Sequence, residues 1–333
     1  MSARRRGPRP GGSRIHDGLV GARALVGTPY LADPSLRAEY QRDIAPRTEA
    51  ALSKVLSEIF PGTGDERPRH VLDLGAGTGA VAAALRAFFG ERLRVVEVDQ
   101  VARGPGTRVA DVTRVDTLKG FGAPFDLVVA AHVLNELYVG EEAVARAARM
   151  ARLVRAWCEE LPGQDGLLIV IEPALRETSR VLLAVRDQLL AAGLHIVAPC
   201  FFNGPCPALE RGRDWCHDSA KEGPGRRVDF SYLVVRAAGQ AAIDPNRVRI
   251  VSDPLPEKGR LRLFACGVSG RHPVVRLDRH VSARNADLDR LERGDVADIA
   301  RTTFAGDGLR VGADTTVVRV APPPGDAGPH PDE

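Results

Sequence analysis

The stretch His70-Val71-Leu72-Asp73-Leu74-Gly75-Ala76-Gly77-Thr78-Gly79 joins a short apolar run to three glycines at alternate positions. Residues 80–89 follow with apolar side chains at helical spacing. The pattern reads as strand, tight turn and helix. A turn of this kind bends only with glycine and brings backbone N–H groups close to a ligand. It belongs to open sheets whose strands run parallel and whose connections are helices. The rest of the chain agrees. Residues 34–60 read as helix, LRVVEVD as a second strand, and FDLVVAAHVLNEL as a strand running into a helix. Residues 141–161 read as helix, GLLIVIEP as strand, 174–193 as helix, and HIVAP and DFSYLVVRA as further strands. The predicted fold is α/β: a parallel sheet covered on both faces, behind a helical N-terminal segment. From about residue 246 the short runs RVRIV, RLRLFAC, PVVRLD and TTVVRVA alternate with turns, which predicts a small β-rich appendage.

Asp99 closes the second strand, twenty residues after Gly79. A carboxylate at that place accepts the hydroxyls of a ribose. Two cofactors suit the loop. Gly75-x-Gly77-x-x-Ala80 satisfies the loose dinucleotide pattern. The run D-x-G-x-G-x-G beginning at Asp73 instead resembles motif I of class I S-adenosylmethionine-dependent methyltransferases, and FDLVVAAHVLNEL and IEP resemble their fourth- and fifth-strand segments. That likeness implies a class I methyltransferase (Rossmann-like) sheet. It sets Asp73, Gly75, Gly77 and Gly79 around the methionine part of S-adenosyl-L-methionine, Asp99 on the ribose and Asp111 against the adenine. His132 and Asn135 follow the fourth strand, where they either line the pocket or cap and pack the turn. Methyl transfer from a sulfonium depends on in-line positioning in a dry pocket. No acid–base dyad is required, and none stands out.

Three of the five cysteines fall within residues 198–217, at Cys200, Cys206 and Cys216, and a fourth, Cys266, lies in RLRLFACG. Cys158, in RLVRAWCEEL, reads as a core residue of a helix. For the other four, disulfides are disfavoured in a reducing compartment. Zinc has its four ligands, with His217 to spare, but the gaps are wider than a C-x2-4-C knuckle. An iron–sulfur cluster tolerates irregular spacing with one remote ligand. A cysteine nucleophile is the fourth reading, since Pro199-Cys200 and Pro205-Cys206 are similar to the Pro-Cys of cytosine-5 methyltransferases, although these follow a later strand. The tight C-x3-C-x2-C of radical adenosylmethionine chemistry is not in the sequence.

PCFFNGPCPALERGRDWCH, with LDLGAGTG upstream and KGRLRLFACG downstream, resembles the methyltransferase-like proteins of the mitochondrial small ribosomal subunit and their bacterial relatives, over roughly residues 35–300. The resemblance implies a four-iron, four-sulfur (4Fe-4S) cluster on Cys200, Cys206, Cys216 and Cys266, with zinc as the alternative. It implies work in small-subunit assembly or translation through ribosomal RNA, by rRNA methylation or as a catalytically inactive RNA-binding assembly factor. A zinc-stabilised methyltransferase of small molecules or proteins is the remaining alternative. Where the family often carries Glu-Pro-Gly after its fifth strand, this chain has Glu172-Pro173-Ala174.

Composition sets outer limits. Net charge is only +3, yet Lys occurs only at 54, 119, 221 and 258 among 46 basic residues, so arginine dominates. A biased genome gives that composition, and so does phosphate recognition by the planar guanidinium. The organisation expected is a disordered basic arm over 1–30, a helical segment over 31–65, and a methyltransferase domain over 66–240 with a Cys-rich metal loop at 199–228. A small OB-like β domain over 241–320 and a disordered Pro-rich tail over 321–333 complete it. No apolar run reaches the roughly 18 residues of a membrane span, and the leader lacks a signal-peptide core. The expected protein is a monomer in the bacterial cytoplasm, or in the mitochondrial matrix if eukaryotic.

Overall fold

Strands that read as nearly unbroken apolar runs need cover on both faces. The computed structural model describes residues 13–61, 67–102, 104, 106–223, 225–239, 244–306 and 308–320. Strands β1 (His70–Leu74), β2 (Arg94–Asp99), β3 (Arg108–Val109), β4 (Phe125–Ala131), β5 (Pro162–Pro173), β6 (His195–Ala198), β7 (Asp218–Lys221) and β8 (Arg227–Arg236) form the first sheet. Its order is β3-β2-β1-β4-β5-β8-β6, with β7 paired to β8. Strands β3, β2, β1, β4 and β5 are mutually parallel, while β8 runs antiparallel between β5 and β6. This is the class I methyltransferase arrangement. After residues 199–217, β7 pairs along β8 in the direction of β6, and the chain then folds back into antiparallel β8, where Glu222 N donates to Arg226 O, with no crossover helix among the described residues.

The described α-helices of five or more residues in this region are α1 (Pro34–Asp43), α2 (Ala45–Ile59), α3 (Ala80–Phe89), α4 (Val115–Lys119), α5 (Ala143–Glu160) and α6 (Arg176–Ala191). Alternate strand residues split between the faces. Val71, Leu127, Val129, Ile169 and Ile171 pack with Leu52, Leu56, Val81 and Leu85 from α2 and α3. Leu72, Leu74, Val128 and Leu168 pack with Val154, Trp157, Val185 and Leu189 from α5 and α6. No described helix is long and apolar enough to cross a membrane.

Two expectations need correction. Residues 13–30 are not a disordered arm. Ile15 is fully buried and packs with Tyr40, Ile44, Ala45 and Ala80, and Arg14 Nε donates to Glu39 at 2.9 Å. Ile15, Leu19, Leu25 and Tyr30 are too thinly spaced to show a period, but all pack into one cluster with Tyr40, Ile44, Ala45 and Ala80. The arginines at 4, 5, 6 and 9, and the tail over 321–333, lie outside the described residues. FDLVVAAHVLNEL does not run from strand into a long helix either. After β4 there is a single 3-10 turn, Leu134–Glu136, and α5 starts only at Ala143, where Glu142 caps it by accepting from Val144 N at 2.8 Å.

The second sheet holds β9 (Arg247–Ile250), β10 (Leu255–Glu257), β11 (Arg260–Gly267), β12 (Gly270–Leu277), β13 (Val296–Ala300), β14 (Thr303–Ala305), β15 (Gly308–Val311) and β16 (Thr316–Val320). Its order is β14-β15-β12-β11-β9-β13-β16, with β10 on β11, and β12 pairs with β15 in parallel. Its core is Val248, Ile250, Leu263, Ala265, Val274, Leu288 and Ile299 among others. Arg249 of β9 joins the sheets. It donates to Pro199 O at 2.7 Å and Gly294 O at 2.9 Å, and pairs with Glu58 of α2 and Asp218 of β7.

Candidate functional site

The loop after β1 meets the loop after β4 where the strand order reverses, the place at which open α/β sheets bind ligands. Gly75, Gly77 and Gly79 have φ of 74°, 51° and 91°. That left-handed backbone is readily open to glycine. At Gly75 a Cβ would also strike Val133 Cγ2 at 2.6 Å. The loop is anchored by Gly75 N and Ala76 N on Val98 O, at 2.8 and 2.9 Å. Asp99 fixes it from the next strand: Oδ2 accepts from Gly77 N at 2.8 Å and Oδ1 from Val101 N at 2.9 Å. Asp73 is fully buried at the end of β1.

The loop borders one pocket, with a cavity volume of about 130 Å³; Asp73 and Gly79 are not among its lining residues. Gly75, Gly77, Asp99, Asp111 and His132 line it. Asp111 forms an Asx turn, its Oδ1 accepting from Thr113 N and Oγ1, both at 2.8 Å. His132 has a φ of 61°, which turns it from the end of β4 toward the pocket, and its Nδ1 is buried without a hydrogen-bond partner. Burial pushes its pKa down to about 4, so at neutral pH it is an uncharged imidazole. Asn135 does not line this pocket. Its side chain donates to His132 O at 2.8 Å and holds the turn, so the structure separates two residues that sequence offered together.

Thr28, Tyr30, Leu31, Tyr40 and Glu136 also line the pocket, and sequence reasoning missed them. Tyr30 donates to Glu136 at 2.8 Å, and Leu31 Cδ1 comes within 3.4 Å of where a Gly77 Cβ would stand. The signal that marks this segment is Asp33-Pro34. Asp33 accepts from Ser35 N at 2.7 Å, and Pro34 opens α1, a helix start that fixes the residues just before it over the pocket.

A second carboxylate works one layer deeper. Glu172, buried at the end of β5, accepts from Leu134 N at 2.8 Å and Asn135 N at 3.1 Å, and so caps the turn that carries His132. Burial pushes Glu172 up to about 8, against the hydrogen bonds it accepts; burial also pushes Glu136 up to about 7, against the Tyr30 hydrogen bond. The folded chain therefore keeps protons there that the unfolded chain releases near pH 4.5. Stability falls as pH rises from that value toward 8, by on the order of a few kcal/mol. Glu172→Gln is expected to flatten the slope, measured as urea midpoints at pH 5 and pH 8.5. An unchanged slope would remove Glu172 as its source.

The cysteine loop has little regular structure, and α6 holds it. Arg180 donates to Ala208 O at 3.0 Å, Leu209 O at 3.2 Å, Arg211 O at 2.9 Å and Asp214 O at 2.6 Å. Arg186 donates to Gly204 O at 2.6 Å and to Phe202 O, while Asp187 accepts from Cys206 N at 2.9 Å. Carbonyls that a strand or helix would otherwise satisfy are thus satisfied by guanidinium groups. Cys200, Cys206, Cys216 and Cys266 all line one largely apolar cavity of about 50 Å³, with His217, Arg249 and Arg271 in its wall. Burial first, and then the neighbouring sulfurs, push Cys206 up to about 11 and Cys216 to about 12. Cys158 lies apart in the core of α5. Among the described residues, no group of three or more His, Cys, Asp or Glu side chains is arranged to hold a metal ion.

The sequence profile of the mitochondrial small ribosomal subunit Rsm22 family matches residues 37–310. The chain belongs to the Rsm22 family. The match spans the glycine loop, the cysteine loop and most of the second sheet, so both candidate sites are parts of one family unit. No curated protein sequence matches the chain. Among solved structures, the plantazolicin methyltransferase BpumL in complex with SAH aligns at 11% identity, covering 68% of this chain and 98% of that one, with a TM-score of 0.39. The Methanococcus jannaschii fibrillarin pre-rRNA processing protein aligns at 12% identity over 56% of this chain and 75% of that one, with a TM-score of 0.34. Aeropyrum pernix fibrillarin with natively bound S-adenosyl-L-methionine aligns at 16% identity over 56% and 76%, with a TM-score of 0.31.

Proposed function

We propose that this Rsm22-family chain binds S-adenosyl-L-methionine in the glycine-loop pocket and methylates RNA of the small ribosomal subunit, with a 4Fe-4S cluster on its four clustered cysteines. The observation that carries the reading is the pocket itself. Gly75, Gly77, Asp99, Asp111 and His132 converge on it at the switch point of a class I methyltransferase sheet. Each Asp99 oxygen accepts one backbone N–H and keeps a lone pair for a ribose hydroxyl. We assign Gly75 and Gly77 to the methionine end, with Asp73 and Gly79 shaping the loop behind them, and Asp111 to the adenine end. Tyr30 and Leu31 line the pocket, where they would shield a bound sulfonium from water. The neutral His132 offers its free Nδ1 as acceptor to an N–H or O–H of the incoming nucleophile.

The donor set fits a metal group. Four soft thiols face one cavity with apolar walls, and buried thiols side by side gain when a metal takes their protons. Cys200, Cys206, Cys216 and Cys266 would hold a cluster; with four protein ligands it supplies cross-linking rather than an open iron. Thiolates around one zinc stand only about 3.8 Å apart, given Zn–S bonds of about 2.3 Å. A cubane spreads them more widely, so its ligands need not form a single-ion group. Cys266 of β11 would then fasten the second sheet to the loop after β6. The family's name ties it to the small ribosomal subunit, and an Arg-rich chain suits phosphate contacts. The second sheet, with its β9-β11-β12 meander and parallel β12-β15 pair, is read as OB-like. We assign the chain to the compartment of its ribosome, the mitochondrial matrix or the bacterial cytoplasm.

Purified small subunits incubated with methyl-labelled S-adenosyl-L-methionine test the reading. Label is expected in the RNA fraction. Co-sedimentation without transfer would make the chain an inactive assembly factor. Neither, with one zinc per chain and no colour, would make it a zinc-stabilised methyltransferase of another substrate. Cys216→Ser is expected to lose iron, sulfide and the brown absorbance; a Cys216→Ser protein that stays brown and folded would remove it from the ligand set.

A further inference from the structure

Arg271 lies directly opposite Cys266 in the β11-β12 pair, so both side chains leave the same face of the sheet. Its guanidinium lines the cavity shared by the four cysteines. Its Nε and Nη1 are buried and make no hydrogen bond, although Nη1 is the atom that faces Asp214. Its anionic neighbour is Asp214, at 3.5 Å, and its guanidinium carbon stands 5.4 Å from the Phe264 ring centroid. Buried charged donors left unbonded are expensive, and each calls for an explanation. The other two arginines near the thiols are committed elsewhere. Arg249 is spent on Glu58, Asp218 and two carbonyls; Arg186, which does not line the cavity, serves Asp187 and two carbonyls of the cysteine loop, with its buried Nε also left unbonded. Of the two arginines that line this cavity, Arg271 is the one with donors that make no hydrogen bond.

We infer that Arg271 is the charge-balancing hydrogen-bond donor to an anionic iron–sulfur cluster on these cysteines, and that it sets the reduction potential of that cluster. The inference rests on the cluster reading above. A tetrathiolate cluster is anionic in both oxidation states and more so when reduced, and its sulfurs accept N–H hydrogen bonds. A guanidinium donating to it favours the reduced form, because hydrogen bonds and net charge around the sulfurs set such potentials. Asp214 works in the opposite sense by drawing on the same guanidinium.

The test is a potentiometric titration of the anaerobically purified full chain with dithionite and mediators, followed by the electron paramagnetic resonance of the reduced cluster. One electron passes from dithionite to the cluster, and no bond forms or breaks. Arg271→Gln is expected to disfavour reduction about tenfold or more, a fall of about 59 mV for a one-electron couple. Arg271→Lys is expected to restore most of it, and Asp214→Asn to shift the potential upward. A merely structural Arg271 would lower cluster occupancy without moving the potential of the clusters that remain. A wild-type chain that carries no iron and sulfide would overturn the cluster reading and this inference together. A loaded wild type whose potential is unchanged in Arg271→Gln would overturn this inference alone. If Arg271→Gln fails to fold, Asp214→Asn decides: an upward shift supports the role and an unchanged potential rejects it.

Discussion

Replacing Arg249 with alanine is expected to destabilise the chain by about 3–5 kcal/mol, the range for breaking a buried ion pair from one side. The guanidinium is almost fully buried, and it serves four partners from four separate segments. Glu58 comes from α2, Asp218 from β7, Pro199 from the start of the cysteine loop and Gly294 from the turn before β13. Tyr232 of β8 donates to the other oxygen of Glu58 at 2.7 Å, so the group also reaches β8 of the first sheet. Without Arg249, Asp218 and two carbonyls are left in a dry interface. Lysine is not expected to rescue, because a single ammonium lacks the planar fork that spans these directions. Lys54→Ala is the control: Lys54 reaches Asp218 at 3.7 Å but is partly solvated, so its loss is expected to cost under about 1 kcal/mol. Urea unfolding of the three variants checks this. A loss below 1 kcal/mol for Arg249→Ala would show that the two sheets are held together by other contacts.

Asp99→Ala is expected to weaken S-adenosyl-L-methionine binding about a hundredfold, some 2.8 kcal/mol at 1.4 kcal/mol per tenfold. One carboxylate does two jobs. It accepts Gly77 N and Val101 N, which shapes the loop, and it is the acceptor left for the ribose. Removing it loses the ribose contact and leaves two N–H groups to reorient. Asp111→Ala is expected to lose less than tenfold, because Asp111 is exposed and its hydrogen bonds stay within its own turn. Equal losses from the two variants would contradict the dominant role of Asp99.

The sheet was largely legible because its strands are buried on both faces and read as apolar runs, and because glycines at 75, 77 and 79 have a backbone conformation readily open to glycine. The grouping of the cysteines was legible in part: three lie close together in sequence, and the remote Cys266, which the family resemblance joined to them, lines the same cavity. Three features were hidden for physical reasons. Residues 13–30 pack through scattered apolar side chains rather than a periodic face, so they passed for a disordered arm. The turn after β4 is short because Glu172, 38 residues after Leu134, caps it, and a local reading has no access to that partner. Strands β10, β13, β14 and β15 are short, and what defines them is pairing with distant segments.

Calorimetric titration of the full chain with S-adenosyl-L-methionine tests the central claim most directly. One saturable site per chain is expected, with S-adenosylhomocysteine competing for it and NAD giving no heat. A chain that binds NAD, or that gives no heat with either sulfur nucleoside, would contradict the assignment of the glycine-loop pocket.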